Sequence, residues 1–187
     1  MDDSKPPVLP SMGFAPIAGP SARLLILGSL PGQTSLSEQE YYAQPRNAFW
    51  MIMGALFEAG PSRSYPERVA RLIERHIAVW DVCAVAARPG SLDAAIDPLS
   101  VKPNNFVEFF EQHPEINQIV FNGATANTLY KQHVLPTLTP VLRKIPSLVL
   151  PSTSPTHASL SLKDKLTQWQ VITRKLKPGK APRPPKA

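Results

Sequence analysis

Residues 28–50 read GSLPGQTSLSEQEYYAQPRNAFW, and this stretch decides how the fold of the chain is interpreted. It follows an apolar run, Leu24–Leu27, which predicts a buried strand, and it leads into a helical pattern that begins near Asn47. A glycine-rich turn after a strand places backbone N–H groups at the carboxyl edge of a sheet, where α/β proteins build their sites. Two tyrosine rings and several amides in one loop suit a flat, polar ligand such as a nucleobase.

Apolar runs and amphipathic segments alternate along the rest of the chain. The apolar runs do not alternate strictly with polar residues, which is typical of parallel strands buried on both faces. The pattern therefore predicts an α/β fold, a three-layer α/β/α sandwich with a central four-stranded, mainly parallel sheet. The predicted strands are Arg23–Ser29, Ile77–Ala86, Ile116–Phe121 and Ser147–Leu150, and the predicted helices are Asn47–Ala59, Tyr65–His76, Asn104–Gln112, Ala124–His133 and Leu162–Leu176.

The length of 187 residues suits one domain with a substantial core. We expect an irregular, proline-rich segment at 1–20, the folded domain at 21–176 and a basic, proline-rich, disordered tail at 177–187. The net charge is +6, but residues 174–187 hold six Lys or Arg and no acid, so 14 basic and 14 acidic residues remain elsewhere. The excess charge therefore predicts no basic groove; the tail either adds salt-sensitive phosphate affinity or is a solvated end.

Several classes of protein are not expected. No apolar run approaches 18 residues and the first twenty residues lack a signal-peptide pattern, so we expect a cytoplasmic protein with no membrane contact. A single cysteine, Cys83, predicts no disulfide and an inert core thiol. The four histidines have no ligand-like spacing, so no metal and no cofactor are expected.

Each predicted strand ends in a polar loop, and these loops should meet at one sheet edge. Arg88–Ser91 follows the second strand, Asn122–Gly123 the third and Pro151–Ser159 the fourth. Simpler interpretations stay open: the asparagines and serines can cap helices or turns, the tyrosines can be core rings, and the one histidine of these loops can be a surface residue. Asp81 lies within an apolar run, where backbone N–H groups are the expected partners of a buried carboxylate.

These segments together resemble the uracil-DNA glycosylase superfamily, and most of all its hypoxanthine-DNA glycosylase branch. The resemblance rests on GSLPGQTSL, YYAQPRNAFW, VWDVC, RPGSLDAAI, FFEQHPEI, FNGATA and LPSTSPTHAS, which occur in the family's order and span about residues 13–172. It implies a four-stranded parallel sheet with a lesion pocket at its carboxyl edge. It also implies excision of a deaminated base from DNA, most of all hypoxanthine.

The catalytic residue is where this sequence departs from the superfamily. The superfamily's first motif usually carries Asn or Asp two residues after the glycine, whereas Leu30 stands there in this chain and cannot orient water. The hypoxanthine branch shares that loss, and Asn47 matches the asparagine thought to serve instead. Gln44 occupies a position that is often His in this branch. Ser152 stands where many members have a catalytic His, so that role is lost or has moved to His157.

The resemblance yields a full set of candidate site residues. Tyr42 matches the aromatic residue that stacks on the base, Asn122 a pocket asparagine, and Ser154–Pro155 part of the loop that pinches the DNA backbone. The expected catalytic residues are Asn47, Asn122 and His157; the base-binding residues are Gly28, Ser29, Leu30, Pro31, Gly32, Tyr42, Gln44 and Phe49; the DNA-backbone residues are Ser35, Arg46, Ser152, Ser154 and Pro155.

The expected activity is that of a monomeric, monofunctional DNA N-glycosylase, because no lysine lies in these loops to form a Schiff base. Its expected partner is DNA that contains deaminated bases. A uracil-preferring glycosylase and a non-catalytic DNA-binding member of the same fold remain alternatives. A serine hydrolase with Ser152 or Ser154 and His157 would have poor triad geometry, because the serine and histidine lie on one short loop.

Overall fold

The computed structural model describes residues 9–176. Within these residues, seven strands and seven α-helices are joined by short 3₁₀ turns and by one π-helical turn, Tyr130–Val134. The strands are β1 (Pro10–Met12), β2 (Leu24–Gly28), β3 (Ile77–Asp81), β4 (Cys83–Ala87), β5 (Lys102–Pro103), β6 (Gln118–Asn122) and β7 (Ser147–Leu150). The helices are α1 (Gln33–Glu38), α2 (Phe49–Phe57), α3 (Tyr65–Glu74), α4 (Phe106–Gln112), α5 (Ala124–Leu129), α6 (Leu162–Trp169) and α7 (Val171–Lys175).

The central sheet has the strand order β3-β2-β6-β7, and all of its neighbouring pairs are parallel. Every residue of β2, β3 and β6 is buried, as expected for strands covered on both faces. Helices surround the sheet, with α3 packed against β3 and α5 against β6 and β7. The predicted α/β class and the four-stranded parallel sheet are confirmed.

The predicted second strand, Ile77–Ala86, is in fact two strands. β3 ends at Asp81, and after Val82 the chain enters a small antiparallel sheet of order β1-β4-β5. The N–H of Val82 donates to Gly28 O at 2.9 Å, and the N–H of Cys83 donates to Ser29 O at 3.0 Å. The apolar run gives no sign that the neighbouring strand changes from β2 to β1 and β5, because both halves of the run are largely buried.

Other boundaries also differ from the predictions. The predicted last helix divides into α6 and α7 at Gln170, and α1 lies inside the loop that follows β2, where only a loop was expected. The N-terminal segment is not wholly irregular, because β1 pairs with β4 and Ile17 bridges Val79. The predicted tail, 177–187, and the first eight residues of the predicted N-terminal segment lie outside the described residues. Among the described helices, none has the length and apolar character needed to cross a membrane.

Candidate functional site

A cleft of about 340 Å³ opens at the carboxyl edge of the central sheet. The last residues of β2, β3 and β6 and the segments that follow β2, β4 and β7 contribute to its walls, as expected where parallel strands end together. Most of the predicted site residues line this cleft: Gly28, Ser29, Leu30, Pro31, Gly32, Ser35, Tyr42, Gln44, Arg46, Asn47, Asn122, Ser152, Ser154 and Pro155.

Two predicted site residues do not line the cleft. Phe49 is fully buried, and its ring stacks on that of Tyr42 with a centroid separation of 4.0 Å and an interplanar angle of 21°. Phe49 therefore does not line the part of the cleft where a base would lie. Its ring packs against one face of the Tyr42 ring instead. His157 lines a second cavity beside the cleft, together with Gly123 and Gln168.

Tyr42 presents an unusual backbone conformation within the cleft. Its φ is +55°, a region that bulky residues rarely adopt, and such outliers concentrate at functional sites. Burial, and then the nearby Asp81, raise the pKa of Tyr42, so its hydroxyl stays protonated. The hydroxyl oxygen is buried; within the described part of the chain no side chain meets it at full hydrogen-bond geometry, and hydrogen bonding from the Asn122 side chain opposes the rise in its pKa. Tyr41, by contrast, is a core ring whose hydroxyl donates to Ala15 O at 3.1 Å.

Asp81 is a site residue that sequence reasoning treated as structural. It is the last residue of β3, is 3% exposed, lines the cleft, and pairs in register with Gly28. The expected backbone N–H partners are absent, and Oδ2 has no hydrogen-bond partner among residues 9–176. A Cβ atom at Gly28 would overlap Asp81 Oδ1 and lie 3.0 Å from the Tyr42 hydroxyl oxygen. Glycine is required there because two polar groups converge on its Cα.

Arg88 holds the turn that follows β2, and the sequence did not single it out. Its guanidinium is 1% exposed and donates to Leu30 O at 3.1 Å and to Pro31 O. It also forms an ion pair with Asp93 at 3.3 Å, and Ser29 Oγ donates to the same carboxylate oxygen at 2.7 Å. Burial lowers the pKa of Arg88, while Asp93 opposes that shift. The signal available in the sequence was a charged residue directly after an apolar run.

Asn122 joins the end of β6 to the loop after β7. Its Nδ2 donates to Thr153 Oγ1 at 2.9 Å, and its Oδ1 accepts from the Thr153 N–H at 2.8 Å. A carboxamide has two N–H donors and two acceptor lone pairs, so Thr153 uses one of each. Asn122 also lowers the pKa of Tyr42 through hydrogen bonding to its hydroxyl, against the larger raising effect of burial. Thr153 is 1% exposed and was not predicted, because its partner lies 31 positions earlier in the chain.

Asn47 lines the cleft, but the N-cap of α2 is Ala48, so the predicted N-cap lies one residue too early. Its Oδ1 accepts from the Phe49 N–H at 3.0 Å at the start of α2. The backbone O of Gln44 accepts from the Asn47 N–H at 2.8 Å, and Gln44 Oε1 accepts from the Arg46 N–H. These bonds close residues 44–47 into a turn at the cleft wall.

Helix α6 holds the loop after β7 in place. Trp169 Nε1 donates to Pro151 O at 3.0 Å, and Lys165 Nζ donates to Ser154 O at 3.2 Å. Lys165 is 5% exposed, and burial lowers its pKa. Sequence reasoning missed this lysine because it lies on a helix eleven positions after the serine that it contacts.

Ser35 is less accessible than a DNA-backbone contact would require. It is 5% exposed, and its Oγ accepts from the Ala43 N–H at 3.1 Å, so it stabilises the loop around α1. Arg46, by contrast, is exposed at the cleft rim. In the described ranges, no three His, Cys, Asp or Glu side chains group as metal ligands.

Comparisons with known proteins agree with this geometry. The sequence model of the family described as the Uracil DNA glycosylase superfamily matches residues 16–177. A protein of Methanosarcina acetivorans named Hypoxanthine DNA glycosylase is 32% identical over 165 residues, which cover 87% of this chain and 97% of that protein. A protein of the same name from Methanosarcina barkeri is 34% identical over 112 residues, which cover 59% of this chain and 70% of that protein.

A solved structure has the same fold. It is the solution NMR structure of a Methanosarcina acetivorans protein that is described provisionally as a uracil DNA glycosylase. The TM-score is 0.73 at 30% sequence identity, and the match covers 90% of this chain and 99% of that structure.

Proposed function

This chain belongs to the uracil DNA glycosylase superfamily, and we propose that it is a DNA glycosylase that excises a deaminated base, hypoxanthine first, by hydrolysis of the N-glycosidic bond. The observation that carries the proposal is the cleft at the carboxyl edge of the sheet, which brings together amide groups, a tyrosine ring and a glycine-rich turn. The names of the two Methanosarcina relatives support hypoxanthine as the base.

The size and enclosure of the cleft fit a single base that has left the helix. The glycosidic bond of a stacked nucleotide is inaccessible, so the nucleotide must rotate out of the duplex into a pocket. A volume of about 340 Å³ lies at the small end of ligand pockets in general. Unstacking costs a few kcal/mol, and stacking on the Tyr42 ring would offset about 1–3 kcal/mol of that cost.

Cleavage develops positive charge on the sugar and negative charge on the departing base. In this proposal the second N–H of Asn122 and the backbone N–H groups of the turn at 28–32, apart from Pro31, which has none, stabilise that negative charge. Loss of one such donor typically costs about 10²–10³ in rate. Asn47 orients the attacking water through the second lone pair of Oδ1. An amide is too weak a base to deprotonate water, so its contribution is orientation.

Contacts to the DNA backbone come from the loop after β7 and from Arg46. Ser152, Ser154 and Pro155 lie at the cleft wall, where their polar groups can reach the phosphates that flank the flipped nucleotide. Lys165 Nζ is bonded to Ser154 O, and no lysine lines the cleft within residues 9–176. This arrangement supports a monofunctional reaction that leaves an intact abasic site.

The remaining assignments follow from the same proposal. The enzyme acts as a monomer without a metal ion, and its compartment is the cytoplasm, in keeping with a single cysteine that is buried. His157 lines the neighbouring cavity, and in this proposal it takes part in the site without contacting the base.

The test is base release from oligonucleotides that carry one deoxyinosine, deoxyuridine or deoxyxanthosine, with no metal added. Wild type is compared with Asn47→Ala and Asn122→Ala, and Asn117→Ala is the matched control because Asn117 is exposed and outside the cleft. We expect wild type and the control to release hypoxanthine and both cleft variants to be at least about 100-fold slower.

Three outcomes would change this proposal. Release of uracil alone would leave the proposed reaction unchanged but would make uracil, and not hypoxanthine, the excised base. Selective binding of the lesion without release would identify a non-catalytic member of the fold. Strand breakage without added alkali would show a lyase step and contradict the monofunctional assignment.

A further inference from the structure

We propose that Asp81 reads the edge of the flipped base as a neutral carboxylic acid, which pairs with the adjacent N–H and C=O of a lactam. This inference rests on the proposed function and deepens it, because it names the group that recognises the base. Hypoxanthine, uracil and xanthine all present such a lactam.

The geometry places Asp81 where recognition must occur. Its carboxyl lies at the carboxyl end of β3, is almost fully buried and faces the cleft between Gly28 and Tyr42. Buried polar groups are nearly always hydrogen-bonded, and exceptions call for an explanation. Here Asp81 Oδ2 lacks a hydrogen-bond partner in the described structure, and Asp81 Oδ1 and the Tyr42 hydroxyl both lie beside Gly28. A buried carboxyl with an unpaired oxygen at the end of the cleft points to a polar ligand that completes it.

The charges around Asp81 favour its neutral form. Burial, and then the carboxylate of Asp93, raise the pKa of Asp81 to about 7, and Arg88 opposes the shift. Arg88 is already paired with Asp93 and two backbone carbonyl groups. The other titratable groups that sense Asp81 are Tyr41, Tyr42 and Cys83, and burial keeps all three neutral.

A neutral carboxyl matches a lactam atom for atom. The protonated oxygen donates to the base C=O, and the other oxygen accepts from the base N–H, which gives two parallel hydrogen bonds. An ionised carboxylate offers acceptors only and would oppose the base C=O. The two oxygens of the acid are interchangeable, so exclusion of adenine and guanine depends on cleft groups that meet their exocyclic amines.

The experiment compares wild type with Asp81→Asn and Asp81→Ala between pH 6 and pH 9. Asparagine keeps one donor and one acceptor but does not titrate. Single-turnover release of hypoxanthine by wild type should fall about tenfold per pH unit above about pH 7 as Asp81 ionises. Asp81→Asn should stay level until the N–H of the base itself ionises, and Asp81→Ala should be slow at every pH. Asp97→Asn, a matched change at an exposed carboxylate outside the cleft, should follow wild type.

A binding readout separates this inference from the proposed function. The ratio of dissociation constants for undamaged and deoxyinosine-containing oligonucleotides is measured over the same pH range. In wild type this preference should fall with rising pH, and in Asp81→Asn it should not, whether or not any base is released.

Absence of base release, with the pH-dependent preference intact, would overturn the proposed reaction and support the reading role of Asp81. Equal pH profiles for wild type and Asp81→Asn would overturn that role. A wild-type rate that rises with pH and is lost in Asp81→Asn would also overturn it, and would make Asp81 a general base.

Discussion

Replacement of Asp81 by asparagine should stabilise the protein increasingly as the pH rises. The carboxyl has a pKa of 3.8 in an ordinary setting and about 7 in the folded chain, so the unfolded state loses its proton first. Below about pH 4 both states are protonated and the group has no effect. Between the two pKa values the folded state is progressively disfavoured, and above about pH 7 the full penalty of about 4 kcal/mol applies.

The assay is reversible urea unfolding of wild type and Asp81→Asn from pH 5 to pH 8. The free energy of unfolding of the variant, minus that of wild type, should grow by about 3 kcal/mol over this range and then level off. Other titrating groups are common to both proteins and cancel in the difference. A difference that does not change with pH would refute the argument, because it would mean that the buried carboxyl titrates alike in both states.

Three further predictions concern the residues that hold the cleft together. Arg88→Met should lower the free energy of unfolding by about 3 kcal/mol, measured in urea, because a carboxylate and two turn carbonyl groups lose a buried partner; an unchanged value would show that the guanidinium is dispensable. Asn122→Ala should lower the free energy of unfolding by about 2 kcal/mol, because its two hydrogen bonds to Thr153 are lost. Adding Thr153→Val to this variant should restore none of the base release that the variant has lost. Lys165→Met should weaken DNA binding several-fold in a titration, because Ser154 O loses its donor, while the order of preference among lesions stays that of wild type.

The sequence predicts those parts of the molecule that depend on local pattern. β2, β6 and β7 are recognisable as apolar runs, and the cleft follows because parallel strands expose their carboxyl ends at one edge. The division between β3 and β4 is not predictable in this way. Both halves are apolar, and the change of sheet is visible only in the antiparallel pairing of β4 with β1 and β5.

The residues missed at the site act through contacts between distant parts of the chain. Arg88 binds carbonyl groups 57 and 58 positions earlier, and Thr153 pairs with Asn122, which lies 31 positions earlier. Asp81 was expected to be satisfied by backbone N–H groups, which is a sound default for a carboxylate in an apolar run. The structure differs from this expectation because the N–H groups of Val82 and Cys83 donate to Gly28 O and Ser29 O instead.

The attachment of the loop after β7 to α6 has a consequence for the order in which the site is completed during synthesis. Trp169 and Lys165 are synthesised after every residue that lines the cleft, yet they fix the loop that closes one of its walls. A nascent chain that has been synthesised only as far as Thr156 contains every residue that lines the cleft but lacks the two contacts that hold this loop in place. The ability to bind a lesion therefore develops late in translation. An unfinished chain would not bind a damaged site that it could not repair.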